Sequence, residues 1–141
     1  MNEPDDIHDR IAASFAKQGA MRTIGATLGT VEPGRVTIRL EASDAVGQQH
    51  GFVHGGVVAM VADSAGGYAA LTTRAEGEEV LTIEYKINFL APARGPVLEA
   101  RGRVVKAGRR IVVAAAEVFG EDEEEPCAVA QITLTTVRSP A

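Results

Sequence analysis

Between Gly55 and Leu71 the chain reads GGVVAMVADSAGGYAAL, and the only polar side chains in that run are Asp63, Ser64 and the Tyr68 hydroxyl. A helix that is apolar nearly all round belongs in an interior, because no face of it is matched to water. Whatever this chain folds into must therefore enclose that helix. A carboxylate within it is costly unless something pairs with it or uses it. Asp63 is thus the first candidate for chemistry. A second reading stays open, in which Asp63-Ser64 caps a separate helix and Gly66-Gly67 relaxes the packing.

The rest of the chain is mostly strand-like. Ile7, Ile11, Ala12, Phe15 and Ala16 recur at helical spacing, which predicts a short amphipathic helix over residues 5–18 with Gly19 as its stop. A strand is expected near Ile24–Val31, then a turn at Pro33-Gly34. In the next strand Val36, Ile38 and Leu40 alternate with Thr37 and Arg39. Ser43 to Val53 reads as a loop leading into the apolar helix. After that helix the period becomes two: Leu81, Ile83, Tyr85, Ile87 and Phe89 alternate with Thr82, Glu84, Lys86 and Asn88, a long half-buried strand that Pro92 ends. Val97–Lys106, Arg110–Phe119 and Cys127–Val137 follow as β-rich runs whose spacing suits an antiparallel meander. The acidic run Glu121–Glu125 is read as a solvated turn. The expected class is α+β: an antiparallel sheet wrapped around one long central helix, with an additional short N-terminal helix. Residues 1–141 read as one domain with its core at about 24–137.

Composition sets limits on function. At 141 residues and 45% hydrophobic content, a core forms without disulfide or metal staples. Cys127 is the only cysteine, which suits a reducing compartment. A net charge of −5 and the absence of Trp argue against nucleic-acid binding. No apolar run reaches the roughly 20 residues of a membrane span, and MNEPDDIHDR is too acidic for a signal peptide. The expected location is the cytoplasm. A serine-hydrolase elbow at Ser64 lacks its first glycine, and His8, His50 and His54 all precede the serine. His50 and His54 stand four apart, but Gly51 spoils a helix there and no acidic third ligand is near, so no metal is expected.

The apolar helix itself suggests a reaction. Its N-terminus offers unpaired N–H donors and the positive end of the helix dipole. Gly55 and Gly56 let an oxyanion approach the backbone closely. Preorganised donors of this kind are worth about 3–4 kcal/mol each in acyl transfer. A buried Asp63 is a stronger base than a free carboxylate. Water attack on a carbonyl by these groups needs no cofactor. Eight residues separate Gly55 from Asp63, about 12 Å along a helix, so one carbonyl cannot touch both within a single chain. A two-fold pair of antiparallel helices can bring Gly55 of one chain to Asp63 of the other, twice over.

His54-Gly55-Gly56, Asp63 nine positions after the histidine, and the strand VLTIEYKINFLAPA (residues 80–93) resemble the hotdog-fold acyl-CoA thioesterases of the PaaI-like, phenylacetate-pathway type. The resemblance spans roughly Val36 to Val137, including the order of elements. It implies a hotdog fold, an acyl-CoA substrate and active sites at the interface of a homodimer that assembles further to a homotetramer. It implies Asp63 as general base or nucleophile, with the Gly55 N–H on the thioester oxygen. It further implies Gln48 holding the thioester or the water, and Thr82 orienting the water.

Other roles for these residues stay open. His54 is favoured as an orienter of the loop over a general base. Gln48 reads equally as an ordinary loop residue, and Thr82 as a plain β-former. Tyr68 suits either the acyl pocket or the core. Lys106, Arg109 and Arg110 flank a hairpin turn, KAGRR, as solvated charge or as a clamp for coenzyme A phosphates, and Arg94 is a further candidate. Hotdog dehydratases and hydratases want a catalytic His paired with an acid, an arrangement that departs from the HGG-to-Asp spacing here. The alternative function is a non-catalytic acyl-CoA-binding hotdog module. The acyl group, the choice of coenzyme A over a carrier protein, and attack by water or by Asp63 itself all stay open.

Overall fold

Strand alternation works out as one six-stranded antiparallel sheet in the computed structural model, which describes residues 4–138. In chain order the elements are α1 (Pro4–Ala16), α2 (Gly19–Ile24), β1 (Ala26–Glu32), β2 (Arg35–Glu41), a 3-10 turn (Asp44–Val46), α3 (Gly55–Leu71), β3 (Glu78–Phe89), β4 (Val97–Ala107), β5 (Ile111–Gly120) and β6 (Ala128–Arg138). The sheet order is β1-β2-β4-β5-β6-β3. The last three strands form the expected meander. β3 pairs with β6 and so closes one edge of the sheet.

Alternation decides which face meets the helix. Val36, Ile38 and Leu40 of β2, Leu98 and Ala100 of β4, Val112, Ala114, Ala116 and Val118 of β5, and Ala128, Ile132 and Leu134 of β6 are all buried. Each large aliphatic among them contributes about 1.5–3 kcal/mol by leaving water. α3 fills the trough they make, with Val58, Val61, Ala62, Ala65 and Ala69 in the core. Small residues set how close it comes. A Cβ on Gly102 of β4 would lie 2.2 Å from the Ala65 carbonyl oxygen, so helix and strand meet backbone to backbone. This is the hotdog architecture: a sheet wrapped around one long helix.

Three expectations need correction, and one open alternative closes. Gly19 does not stop the N-terminal helix: the break falls at Lys17-Gln18, and Gly19 begins a second short helix. That helix ends at Gly25, whose φ of 78° is the left-handed conformation glycine adopts without strain. The first strand accordingly starts at Ala26, not Ile24. The long strand is also not half-buried in the single chain. Leu81, Ile83, Tyr85 and Phe89 are 47–58% exposed, because β3 has a neighbour on one side only. α3 runs unbroken from Gly55 to Leu71, which disposes of a separate helix capped at Asp63.

Candidate active site

β3 owes its reach into the site to a one-residue irregularity. Its register with β6 shifts between Thr82 and Glu84, so Thr82 stands opposite Leu134 while Tyr85, Ile87 and Phe89 stand opposite Ile132, Ala130 and Ala128. Cross-strand partners share a face, and these partners are buried toward α3. The extra residue therefore changes the phase of the strand. It sets Thr82 on the same face as Tyr85, Ile87 and Phe89. There the Thr82 hydroxyl donates to Asp63 Oδ1 at 2.7 Å. Burial pushes the Asp63 carboxyl above its ordinary value, and the Thr82 hydrogen bond pulls it part of the way back.

A cavity of about 360 Å³ opens beside this pair, lined by Asp63, Ser64, Tyr68, Thr82 and, from the N-terminal segment, Ser14 and Gln18. Tyr68 is buried beneath Phe15, and its hydroxyl accepts from Gln18 Nε2 at 2.9 Å and from Ser14 Oγ at 3.3 Å. The Ser64 hydroxyl donates to Gln18 Oε1 at 3.4 Å. Tyr68 thus belongs to the core and to the cavity at once. Ser14 and Gln18 escape sequence reasoning because nothing local marks them. They matter only through where α1 lands.

The other end of α3 carries a different group. His54 Nδ1 accepts from the Gly56 N–H at 2.8 Å, and the His54 N–H donates to the Val46 carbonyl at 2.8 Å. His54 is the helix N-cap, the orienting role preferred from the sequence. Gln48 Oε1 accepts from the N–H groups of His50 at 2.6 Å and Phe52 at 3.1 Å, folding the loop that precedes the helix. The Gly55 N–H has no hydrogen-bond partner among the described residues. It borders a cleft of about 440 Å³ with Gln48, Phe52, Phe89 and Pro92. A Cβ on Gly55 would come within 3.3 Å of the Phe89 ring, so glycine keeps this approach open.

The fold brings Asp63 to Thr82, and Gly55 to Gln48 and His54, but it keeps the two groups apart. About 12 Å of helix and about 80° of rotation separate Gly55 from Asp63. Their two cavities share no residue. The basic candidates divide the same way. Lys106, Arg109 and Arg110 stand at the β4–β5 turn; Ile111 just beyond it is opposite Thr135, which is opposite Leu81, so this turn lies at the Thr82 end. The buried Arg74, unmarked by any motif in the sequence, pins that turn by donating to the carbonyls of Gly108 and Arg109 at 2.8 and 3.1 Å. Arg94 follows the far end of β3, with its guanidinium 5.1 Å from the centre of the Phe52 ring. No group of three or more His, Cys, Asp or Glu among the described residues is arranged to hold a metal ion. None of their helices is long and apolar enough to cross a membrane.

Comparison with known proteins gives this geometry a family setting. Residues 50–127, just over half the chain, match the model of the thioesterase superfamily. The chain is 28% identical over 109 residues to the 1,4-dihydroxy-2-naphthoyl-CoA hydrolase of Listeria monocytogenes serotype 1/2a (strain 10403S), covering 77% of this chain and 89% of that one. A thioesterase family protein from Silicibacter pomeroyi superposes with a TM-score of 0.90 at 42% identity, over 94% of this chain and 99% of that one. The PaaI protein from the phenylacetic acid degradation operon of E. coli superposes with a TM-score of 0.86 over 99% of this chain and 98% of that one. At 18% identity, that last likeness is one of fold.

Proposed function

Since the chain belongs to the thioesterase superfamily and is a thioester hydrolase, we propose that it hydrolyses an acyl-CoA at a site shared between two protomers. One observation carries this reading: an unpartnered oxyanion donor and a hydrogen-bonded carboxylate lie on one helix, too far apart to serve one carbonyl. A two-fold partner with its α3 antiparallel places the Gly55 end of each helix against the Asp63 end of the other. The exposed apolar edge of β3 is where such a partner docks, making one continuous sheet from two edge strands. The same operation brings Arg94 of one protomer toward the KAGRR turn of its partner, which gathers cations for the phosphates of coenzyme A. The Listeria relative supports the CoA ester by its name. A reducing cytoplasm suits the single, free Cys127.

In this mechanism Thr82 holds Asp63 Oδ1 and leaves Oδ2 to take a proton from water. The water oxygen bonds to the thioester carbon while the carbonyl π pair moves onto oxygen, where the Gly55 N–H at the positive end of α3 receives it. Collapse of the tetrahedral intermediate breaks the carbon–sulfur bond. The thiolate then takes back the proton from Asp63. Gln48 and His54 keep the loop and the first turn of α3 in place so that the donor does not have to reorganise during the reaction.

The test is thiol release from a panel of aryl and aliphatic acyl-CoAs, with Asp63→Asn run in parallel. Loss of a general base is expected to lower kcat by about 10²–10⁴. Equal rates in the two proteins would remove Asp63 from the reaction. Binding of acyl-CoA without turnover by the unaltered protein would replace hydrolysis with a binding role.

A further inference from the structure

The KAGRR turn between β4 and β5 is tied inward by its backbone and open outward through its side chains. Gly108 and Arg109 both present their carbonyl oxygens to Arg74 Nη1, at 2.8 and 3.1 Å. The next carbonyl, that of Arg110, accepts from the Thr136 N–H at 2.7 Å. The Gly108 N–H donates to the Ile111 carbonyl at 2.9 Å, and a Cβ on Gly108 would lie 2.6 Å from that same oxygen, so the turn closes as tightly as glycine allows. Lys106, Arg109 and Arg110 are exposed, and among the described residues their side chains make no hydrogen bond or ion pair.

Arg74 is the one buried charged side chain among the described residues, 9% exposed. Besides the two carbonyls it donates to the hydroxyls of Thr136 at 3.0 Å and Thr73 at 3.2 Å, so all four of these acceptors are neutral. Its backbone is held as firmly as its side chain. Arg10 of α1 donates to the carbonyls of Arg74, Ala75 and Glu78 at 2.7, 3.0 and 2.6 Å. Two physical effects follow at the turn. The negative ends of carbonyls repel an anion, and Arg74 draws two of them inward and covers them. The same bridge fixes the backbone from which Arg109 and Arg110 project, so less freedom is lost when they close on an anion.

We propose, resting on the acyl-CoA reading above, that Arg74 is a positioning residue for coenzyme A. It presets the turn whose Lys106, Arg109 and Arg110 receive the phosphates, and it touches neither the thioester nor the reacting water. Its effect is on binding of the phosphate-bearing part of the substrate and not on cleavage, so it appears in KM and leaves kcat alone.

One acyl group supplied as two thioesters separates this role from a purely structural one: its coenzyme A ester, and its pantetheine ester, which has no phosphate. Arg74→Met is expected to raise KM for the coenzyme A ester roughly three- to tenfold, the worth of one hydrogen bond loosened at the phosphates. In the same variant kcat, and kcat/KM for the pantetheine ester, are expected to stay as they were. Changing Lys106, Arg109 and Arg110 together to Ala is expected to erase the preference for the coenzyme A ester, and adding Arg74→Met to that variant to change nothing more. The proposal is overturned if Arg74→Met moves both esters alike or neither. It is overturned too if Arg74→Met still shifts the preference once the turn has lost its cations. Should Arg74→Met fail to fold, Arg74→Lys keeps the charge without the planar fork, and an unchanged preference there overturns the proposal. A preference that survives loss of the turn's cations overturns the proposal and leaves thioester hydrolysis standing. Absence of turnover with every thioester brings down the parent reading and this one together.

Discussion

Asp63 illustrates how a functional group is held against the preference of its surroundings. Burial favours its protonated form, so its folded-state pKa lies above the ordinary 3.8. The sign of the consequence follows from linkage. The fold is relatively most favoured below pH 3.8, where Asp63 is protonated folded or unfolded, and that advantage is lost as the pH rises through the raised folded value. At neutral pH the ionised side chain therefore costs stability. Asp63→Asn, which still accepts from Thr82, is expected to melt at a higher temperature than the unaltered protein while losing turnover. A lower melting temperature by scanning calorimetry would show that the carboxylate stabilises the fold instead. Thr82 supplies the opposing pull. Thr82→Val removes a bond that lowers the Asp63 pKa, so the acidic limb of the kcat/KM profile is expected to move to higher pH. An unmoved limb would mean that the group titrating in the profile is not Asp63.

At the scale of elements, two contacts set the geometry of the site. The first is the crossing of α3 over β4. An alanine at position 102 would drive its Cβ into the Ala65 carbonyl, and backbone on both sides leaves no flexible side chain to give way. Gly102→Ala is expected to cost about 3 kcal/mol or more in urea unfolding, the upper range for overpacking. A loss under about 1 kcal/mol would mean that the helix shifts easily on the sheet. The second is the free edge of β3. Long, exposed, apolar edges pair with another chain, and lysine is among the devices that prevent it. The double change Leu81→Lys and Ile83→Lys is expected to yield a monomer by light scattering that has lost its turnover. An active monomer would show that one chain suffices.

For the whole molecule, the proposed division of the site between two protomers makes a complementation experiment decisive. In the proposed mechanism Asp63→Asn removes the base, and Gly55→Pro removes the oxyanion donor at a helix position that tolerates proline. Each homodimer is expected to be inactive. Mixed one to one and allowed to exchange, half the dimers carry both changes, and one of their two sites keeps an intact Gly55 opposite an intact Asp63. Recovery of about a quarter of the unaltered activity is expected for a two-fold shared site. If each chain held its own complete site, both chains of every mixed dimer would be defective and nothing would return.

Much of this arrangement is legible in the amino-acid sequence. The unbroken apolar run Gly55–Leu71 makes a central helix unavoidable, and the strand-like runs locate β2 to β6 within three residues, because both patterns report only how a segment meets an apolar layer. His54 as N-cap and the raised pKa of Asp63 are legible too, since each depends on neighbours close in the chain or on burial alone. What the sequence cannot carry is whatever depends on pairing between distant segments. Strict alternation from Leu81 to Phe89 hides the register shift that sets Thr82 on the helix face, since the shift is defined only against β6. The exposure of β3 depends on which strand takes the edge. Ser14 and Gln18 become part of a pocket only when α1 comes to rest beside Tyr68. Local chemistry names the helix, its carboxylate and the open N–H groups at its start, and helix geometry alone already sets these about 12 Å apart; tertiary structure decides what surrounds them, because Thr82 reaches Asp63 only through the pairing of β3 with β6, and Gln18 reaches Tyr68 only through where the N-terminal segment comes to rest.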